Sequence, residues 1–164
     1  MKAKIYKAQR LQRPDEWIEG ELIRSDINKR ERKSGKSTLI FTPDCETFIY
    51  VPEYHDSFMV KEDTIREFTG LTDSNGKRIF EGDTVSFCGM EGKVVFCAGA
   101  FGIATKENID YDHLCREIAE WCGADNTEHF SYCDNFISFC ELIWNFGHDD
   151  NSCPSVAVIG NIVN

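Results

Sequence analysis

Hydrophobic and polar residues alternate in short runs through the first part of the chain. Residues 4–8 alternate one by one, and residues 17–23, 39–41 and 48–51 are rich in β-branched and aromatic side chains. Successive side chains of a strand point to opposite faces, so such runs favour strands with one buried face. The pattern predicts short strands in these four places and a charged loop at 28–36.

The clearest pattern lies at residues 64–104, where short hydrophobic runs alternate with glycine-containing turns. The Asn-Gly pair at 75–76 predicts a hairpin, because glycine readily takes the positive φ that a tight turn needs. A second predicted turn at 81–83 leads into a strand whose Val85 and Phe87 fall on one face. Further glycine turns predict a four-stranded meander, an arrangement that can close into a small barrel.

The hydrophobic period changes to that of a helix between about 106 and 152. Hydrophobic residues recur there three or four positions apart in two places, which predicts two short helices joined by residues 123–131. The mostly apolar residues 156–163 then predict a final strand that returns to the barrel.

Several short motifs follow one another in a fixed order along the chain. They are residues 64–73, the turn 75–77, Ile79, the turn 81–83, residues 92–94, residues 99–102 and residues 159–162. This ordered set resembles the signature of the YopX family of phage and prophage proteins. The match covers 58–104 and 156–163, whereas 1–57 match only in their strand pattern.

The resemblance implies a β-rich architecture, an origin in mobile genetic elements and self-association, and it brings no catalytic residues. With the hydrophobic pattern, it predicts a mainly β (α+β) fold: a small SH3-like β-barrel core of short antiparallel strands with a two-helix insertion before the last strand. The predicted parts are an N-terminal β-rich segment at 1–57, a core at 58–105 plus 153–164, and an acidic helical insertion at 106–152.

The motif is made mainly of turn residues, which is more typical of a fold signature than of an active site. Glycines permit sharp bends, and Asp and Asn side chains stabilise turns. We therefore assign a structural role to Thr69, Gly70, Leu71, Asp73, Asn75, Gly76, Glu81, Gly82, Asp83, Gly160 and Asn161.

The charge of the chain restricts its partners. The net charge is −10 and disfavours nucleic acid and anionic membranes, which both attract cationic proteins. The first 36 residues nevertheless hold 11 Lys and Arg against 6 Asp and Glu. Without an apolar segment for export or for membrane insertion, the expected location is the cytoplasm of a bacterial host.

Eight cysteines in a cytoplasmic protein are expected to be thiols. A zinc site formed by Cys115, Cys122, Cys133 and Cys140 lacks the close ligand pair that such sites normally have, so packing is favoured. Two acidic clusters, at 110–113 and 148–150, could supply metal ligands, with His113, His129 and His148 as the nitrogen donors. Neither cluster has a complete ligand spacing, and carboxylate-rich loops are usually only solvated. We predict neither a metal nor another cofactor.

The search for catalytic motifs finds none. Histidines and cysteines permit many pairings and single out no nucleophile with its base, so we predict that the protein is not an enzyme. One hypothesis is a phage accessory protein that acts through protein contacts, with an unknown partner, and forms homo-oligomers. The alternative is a nucleic-acid-associated SH3-like module that uses the basic loop residues Lys29, Arg30, Arg32, Lys33 and Lys36.

Overall fold

The computed structural model of the chain describes residues 3–25, 46–123, 129–149 and 151–160. Its contacts group the chain into two units, Met1–Glu67 and Phe68–Asn164. The described residues form a mainly β structure with two antiparallel sheets and two α-helices, which confirms the predicted fold class at this level. No helix among them is long and apolar enough to cross a membrane.

The first unit is an antiparallel sheet. Its strands are β1 (Tyr6–Gln9), β2 (Trp17–Ser25), β3 (Glu46–Val51) and β4 (Asp56–Met59), in the order β4-β3-β2-β1. The beginning of β5 (Arg66–Thr72) pairs with β1 through Arg66 and Glu67. A small core of buried residues covers one face of this sheet: Ala8, Ile18, Ile49, Val51 and Val60.

The second unit contains a five-stranded sheet in the order β10-β9-β8-β7-β11. Its strands are β7 (Thr84–Phe87), β8 (Met90–Cys97), β9 (Ala100–Thr105), β10 (Phe136–Ser138) and β11 (Val156–Gly160). The rest of β5 pairs with β6 (Arg78–Phe80) in the hairpin predicted at 75–76. The predicted final strand is confirmed at β11, which pairs with β7.

Two-residue turns join the central strands of this sheet. Cys88 and Gly89 link β7 to β8, and Ala98 and Gly99 link β8 to β9, all with positive φ. Positive φ at both central residues matches the twist of a hairpin, although Cys and Ala are unusual in the first position. The meander predicted from the glycine spacing is therefore present from β7 to β9.

Two helices pack on the second unit. Helix α1 (Tyr111–Cys122) begins at Asp110, whose Oδ1 accepts a hydrogen bond from the backbone N of His113, and it buries Leu114 and Ile118. Helix α2 (Phe139–Phe146) begins with a capping box formed by Ser138 and Glu141. The apolar faces of both helices join the sheet in one core cluster.

Two sequence expectations need revision here. The segment predicted to join the two helices ended at residue 131, whereas α2 begins only at Phe139 and strand β10 precedes it, so this boundary is wrong. The five-stranded sheet of the second unit is open, with β10 and β11 at its edges, so the SH3-like barrel is not confirmed. The three-part division of the chain predicted from the motifs stays a prediction.

Candidate functional site

Asp73 is the central residue of the β5–β6 turn. Its Oδ1 accepts hydrogen bonds from the backbone N of Asn75 at 2.9 Å and of Lys77 at 2.8 Å. Its Oδ2 accepts a third bond, from the backbone N of Val158 in β11, at 2.8 Å. The side chain is almost fully buried, and its charge is satisfied by main-chain donors. Asp73 therefore joins the first motif block to the last one.

Asp83 has a comparable role in the next turn. Its Oδ2 accepts a hydrogen bond from the backbone N of Phe80 at 2.9 Å, and its side chain is buried. Gly82, with φ of 89°, donates its N–H to the carbonyl of Val94 at 2.7 Å. The Asp83 carboxylate therefore stabilises this turn and adds little charge to the surface of the hairpin.

Thr69 and Gly70 form an irregularity in β5. The Thr69 hydroxyl donates to the carbonyl of Ile79 at 2.8 Å and accepts from the backbone N of Leu71 at 3.2 Å. Gly70 has φ of 91°, and the register of β5 against β6 shifts at this point. Such a bulge redirects the strand, which here turns Leu71 into the core.

Other residues assigned from the sequence lie outside the described parts of the chain. They are Lys29, Arg30, Arg32, Lys33 and Lys36 of the basic loop, and Asn161 of the last motif.

The histidines proposed as metal ligands have other neighbours. His113 Nε2 lies 3.5 Å from Glu117 Oε1, one turn further along α1. His129 contacts the ring of Trp144. The ring of His148 stacks on Phe146, and Nε2 lies 3.2 Å from the hydroxyl of Ser155. Within the described residues, no three His, Cys, Asp or Glu side chains are arranged to hold a metal ion.

The contact of His148 with Ser155 was not expected from the sequence, because no local motif connects the two residues. It places a hydroxyl beside an imidazole, as in a nucleophile and its base. Such a pair also needs a group that orients the imidazole. None of the described carboxylates hydrogen-bonds to the His148 ring, and burial lowers its pKa. We assign this pair to packing around the ring.

The seven described cysteines are free thiols. Burial raises the pKa of Cys88 to about 12 and that of Cys153 to about 11. Both thiols are therefore protonated at neutral pH, whereas a nucleophilic cysteine needs a lowered pKa. The Cys122 thiol contacts the carbonyl of Phe146 at 3.1 Å and so links α1 to the end of α2. Cys122, Cys133 and Cys140 are exposed and Cys115 is half-buried, so the expectation that these cysteines pack in a core is wrong for the first three.

A groove of about 620 Å³ opens where β8 begins and β9 ends. This volume is within the usual range of ligand pockets, about 300–1,000 Å³. Its charged lining residues are of both signs: Glu91, Lys93, Lys106, Glu107 and Asp110. No local pattern in the sequence connects Lys93 with Lys106, because the two residues are distant along the chain.

Three aromatic side chains of the helical segment are exposed. Trp121, Tyr132 and Trp144 have exposed fractions of 59%, 56% and 69%, and we call them the aromatic set. Asn145 connects the segments that carry Tyr132 and Trp144, because its side chain bonds to the backbone N and O of His129. The described residues from Tyr111 to Asp149 hold six Asp and Glu against one Arg. The aromatic set thus belongs to a strongly acidic segment.

The fold and these surfaces define a mainly β protein whose motif residues stabilise turns and whose helical segment exposes three aromatic residues. A family model described as YopX protein matches residues 11–163, so the chain belongs to the YopX family. The match extends through the segment at 106–152, which we had interpreted as an insertion that the family resemblance did not explain. A comparison with curated proteins gives no match.

Proposed function

We propose that this protein is a non-enzymatic accessory protein of phage or prophage origin that acts in the bacterial cytoplasm through protein contacts, including contacts between its own copies. The observation that carries the proposal is the exposure of Trp121, Tyr132 and Trp144. Trp and Tyr are enriched in protein interfaces, where they bury large areas and contribute much of the binding energy.

The burial and main-chain hydrogen bonds of the polar motif residues support the same conclusion. Asp73 and Asp83 are buried and bonded to main-chain N–H groups, so neither is available to a substrate. The thiols of Cys88 and Cys153 are protonated at neutral pH because burial raises their pKa. These groups stabilise the fold. The surface of the helical segment in the second unit, by contrast, carries exposed aromatic residues and an excess of carboxylates.

Sedimentation velocity over a wide range of protein concentrations tests the proposal. We expect wild-type protein to associate as its concentration rises, and Trp144→Ala to weaken association at least about tenfold, as loss of an interface hot spot does. The matched control is Tyr54→Ala in the first unit, because Tyr54 is 65% exposed and lies outside the acidic segment.

Two results would count against this proposal. If the wild-type protein stays monomeric at every concentration, the proposed self-association is wrong. Equal weakening by Trp144→Ala and Tyr54→Ala would remove the aromatic set as the contact surface.

The alternative is a nucleic-acid-associated module. Five basic residues within 29–36, against the single acidic Glu31, favour it. Gel shifts at low and moderate salt test it, because phosphate contacts weaken steeply with salt. Salt-sensitive binding that disappears when the five residues are neutralised would establish this reading, and absence of binding at any salt would exclude it.

A further inference from the structure

The hairpin formed by β8 and β9 extends beyond the strands on either side of it. Strand β7 pairs with β8 only from Met90 to Lys93, and β10 pairs with β9 only from Gly102 to Ala104. We call residues 95–101 the hairpin tip. Among the described residues, the hairpin tip has strand partners only within the hairpin itself. It therefore projects from the sheet of the second unit.

The hairpin tip is apolar, since residues 94–104 contain no charged, hydroxyl or amide side chain. Phe96 and Phe101 face each other across the two strands, with ring centroids 5.0 Å apart. By alternation they lie on the same face as the buried Val94 and Ile103. Phe101 packs partly against the core, whereas Phe96 is 57% exposed. The apolar face of the hairpin thus continues from the core into solvent.

The turn at the end of the hairpin tip is also apolar, at a steric cost. Ala98 has φ of 51°, and Gly99 has φ of 83°. Hairpin turns with positive φ at both positions usually carry Asn, Asp or Gly in the first, because these residues tolerate the conformation better than Ala. Ala98 is exposed to solvent, where a polar side chain would fit equally well. A contact made by the tip explains the apolar residue at this position better than folding does.

We propose that the hairpin tip is a contact surface for a second copy of this chain, with the exposed ring of Phe96 packed against the tip of the other copy. Burial of apolar side chains stabilises such a contact, and in a two-fold contact each tip meets the same tip of its partner. The inference rests on the proposed function, because it names a second surface for contacts between copies. It uses residues other than the aromatic set.

Charge favours a second copy as the occupant of this surface. The chain has a net charge of −10, so two copies repel each other, most strongly where carboxylates meet. The hairpin tip brings no carboxylate to the contact, and the nearest charged residues along the chain are Lys93 and Lys106. Two copies can therefore meet at their tips without opposing carboxylates.

The size of the hairpin tip predicts a weak contact. The tip has seven residues, whereas a stable interface has about 20–30 residues on each side. The contact between tips therefore adds to a contact elsewhere on the chain, such as the aromatic set, and does not hold a dimer together alone. Association is expected to rise with protein concentration.

A lipid bilayer is a poorer partner for the same surface. Val94 donates its N–H to the carbonyl of Asp83 and accepts from the N–H of Gly82. Alternate residues of a strand direct these groups to the same side, so the N–H and C=O of Phe96 point that way too. No hydrogen bond to them is present among the described residues. Hydrocarbon offers no partner to such groups, whereas a protein contact leaves them access to polar atoms and water.

Two substitutions of Ala98 test the inference. Ala98→Asp places a carboxylate at the end of the hairpin tip, where it would face the same carboxylate of the second copy. Ala98→Asn is the matched control, because its side chain has nearly the same shape and no charge. Asp-Gly and Asn-Gly both suit this turn better than Ala-Gly, so both variants should fold. Amide NMR spectra establish that they do.

Sedimentation velocity over a range of protein concentrations measures the effect on association. We expect Ala98→Asp to weaken association at least about tenfold, because like charges would meet in an apolar contact. Ala98→Asn should weaken it less than about threefold, because it adds no charge.

Alkylation of Cys97 with an uncharged maleimide gives a second measurement, because Cys97 is an exposed thiol within the hairpin tip. Its alkylation should slow as wild-type protein becomes more concentrated, and it should not slow in Ala98→Asp. Cys133 is also exposed and follows Tyr132 directly. Its alkylation therefore reports separately on the aromatic set.

The inference is overturned if Ala98→Asp associates as strongly as Ala98→Asn, or if Cys97 is alkylated equally fast at low and high protein concentration. Association that depends on Trp144 but not on Ala98 would remove the hairpin tip alone. Association that depends on Ala98 but not on Trp144 would support the tip and remove the aromatic set. Slower alkylation of Cys97 with phosphatidylcholine vesicles, but not with rising protein concentration, would assign the tip to a bilayer and overturn the inference.

Discussion

The motif turns at 69–83 and the helical segment at 111–149 differ in whether their distinctive side chains are buried or exposed. In the turns, Asp73 and Asp83 are charged residues that lie buried and accept hydrogen bonds from the main chain. In the helical segment, Trp121 and Trp144 are large aromatic residues that lie exposed. A buried charge must be compensated by hydrogen bonds, and exposed aromatic side chains are typical of binding surfaces. The first region therefore stabilises the fold, and the second provides a surface for contacts.

Replacement of Asp73 gives the strongest test of this contrast. In Asp73→Ala the backbone N–H groups of Asn75, Lys77 and Val158 lose their acceptor. Buried donors without partners are costly, so we expect the free energy of unfolding to fall by about 3 kcal/mol. Urea denaturation followed by circular dichroism measures it. Asp134→Ala, at an exposed aspartate, is the control, and an equal loss there would contradict the structural role of Asp73.

Two motif glycines should differ strongly from each other. Gly92→Ala introduces a Cβ that overlaps Ile103 and Ala104, whereas a Cβ at Gly160 would lie 3.9 Å from the Cβ of Thr84. We expect Gly92→Ala to lower the free energy of unfolding by about 2 kcal/mol. Gly160→Ala should change it by less than about 0.5 kcal/mol. Thermal and urea unfolding of the two variants measures both changes. Equal losses of stability would mean that the close approach of the two strands at Gly92 does not cause the loss.

Removal of the cap at the start of helix α2 should lower the free energy of unfolding by an intermediate amount. The Ser138 hydroxyl accepts from the backbone N of Glu141 at 3.1 Å, and the Glu141 carboxylate accepts from the backbone N of Ser138 at 2.8 Å. Loss of such a cap costs about 1 kcal/mol, so Ser138→Ala should lower the free energy of unfolding by this amount. Ser57→Ala, at an exposed serine of β4, is the control. No difference between the two variants would show that the cap is not needed.

The exposed aromatic residues should matter least to stability. Trp144 is 69% exposed, so Trp144→Ala should change the free energy of unfolding by less than about 0.5 kcal/mol. The same variant is expected to weaken association, and the two measurements together sharpen the contrast between the regions. A large loss of stability would show instead that Trp144 supports the fold.

Local pattern was enough to predict much of the second unit. The Asn-Gly pair at 75–76 predicted the β5–β6 hairpin, and alternation at Val85 and Phe87 predicted the buried face of β7. The helical period predicted both α1 and α2. These features depend on interactions between residues close in sequence, and they can be read from spacing.

Short elements and distant contacts were missed. Strand β10 has three residues, and its place beside β9 comes from pairing Ile137 with Ile103 across a long stretch of chain. The groove was missed for a similar reason, because Lys93 and Lys106 meet only through the end of β9. The capping box of α2 is visible in the sequence as Ser138 three residues before Glu141.

The sequence by itself determined the turns, the alternating strands, the helical periods and the family, because each is encoded in ordered neighbouring residues. Only the tertiary structure decided where the charges and aromatic residues lie. Asp73 reaches Val158 across 85 positions, and it is buried by that contact. Burial depends on what distant parts of the chain cover, so the same residue type is a buried acceptor at Asp73 and an exposed helix cap at Asp110.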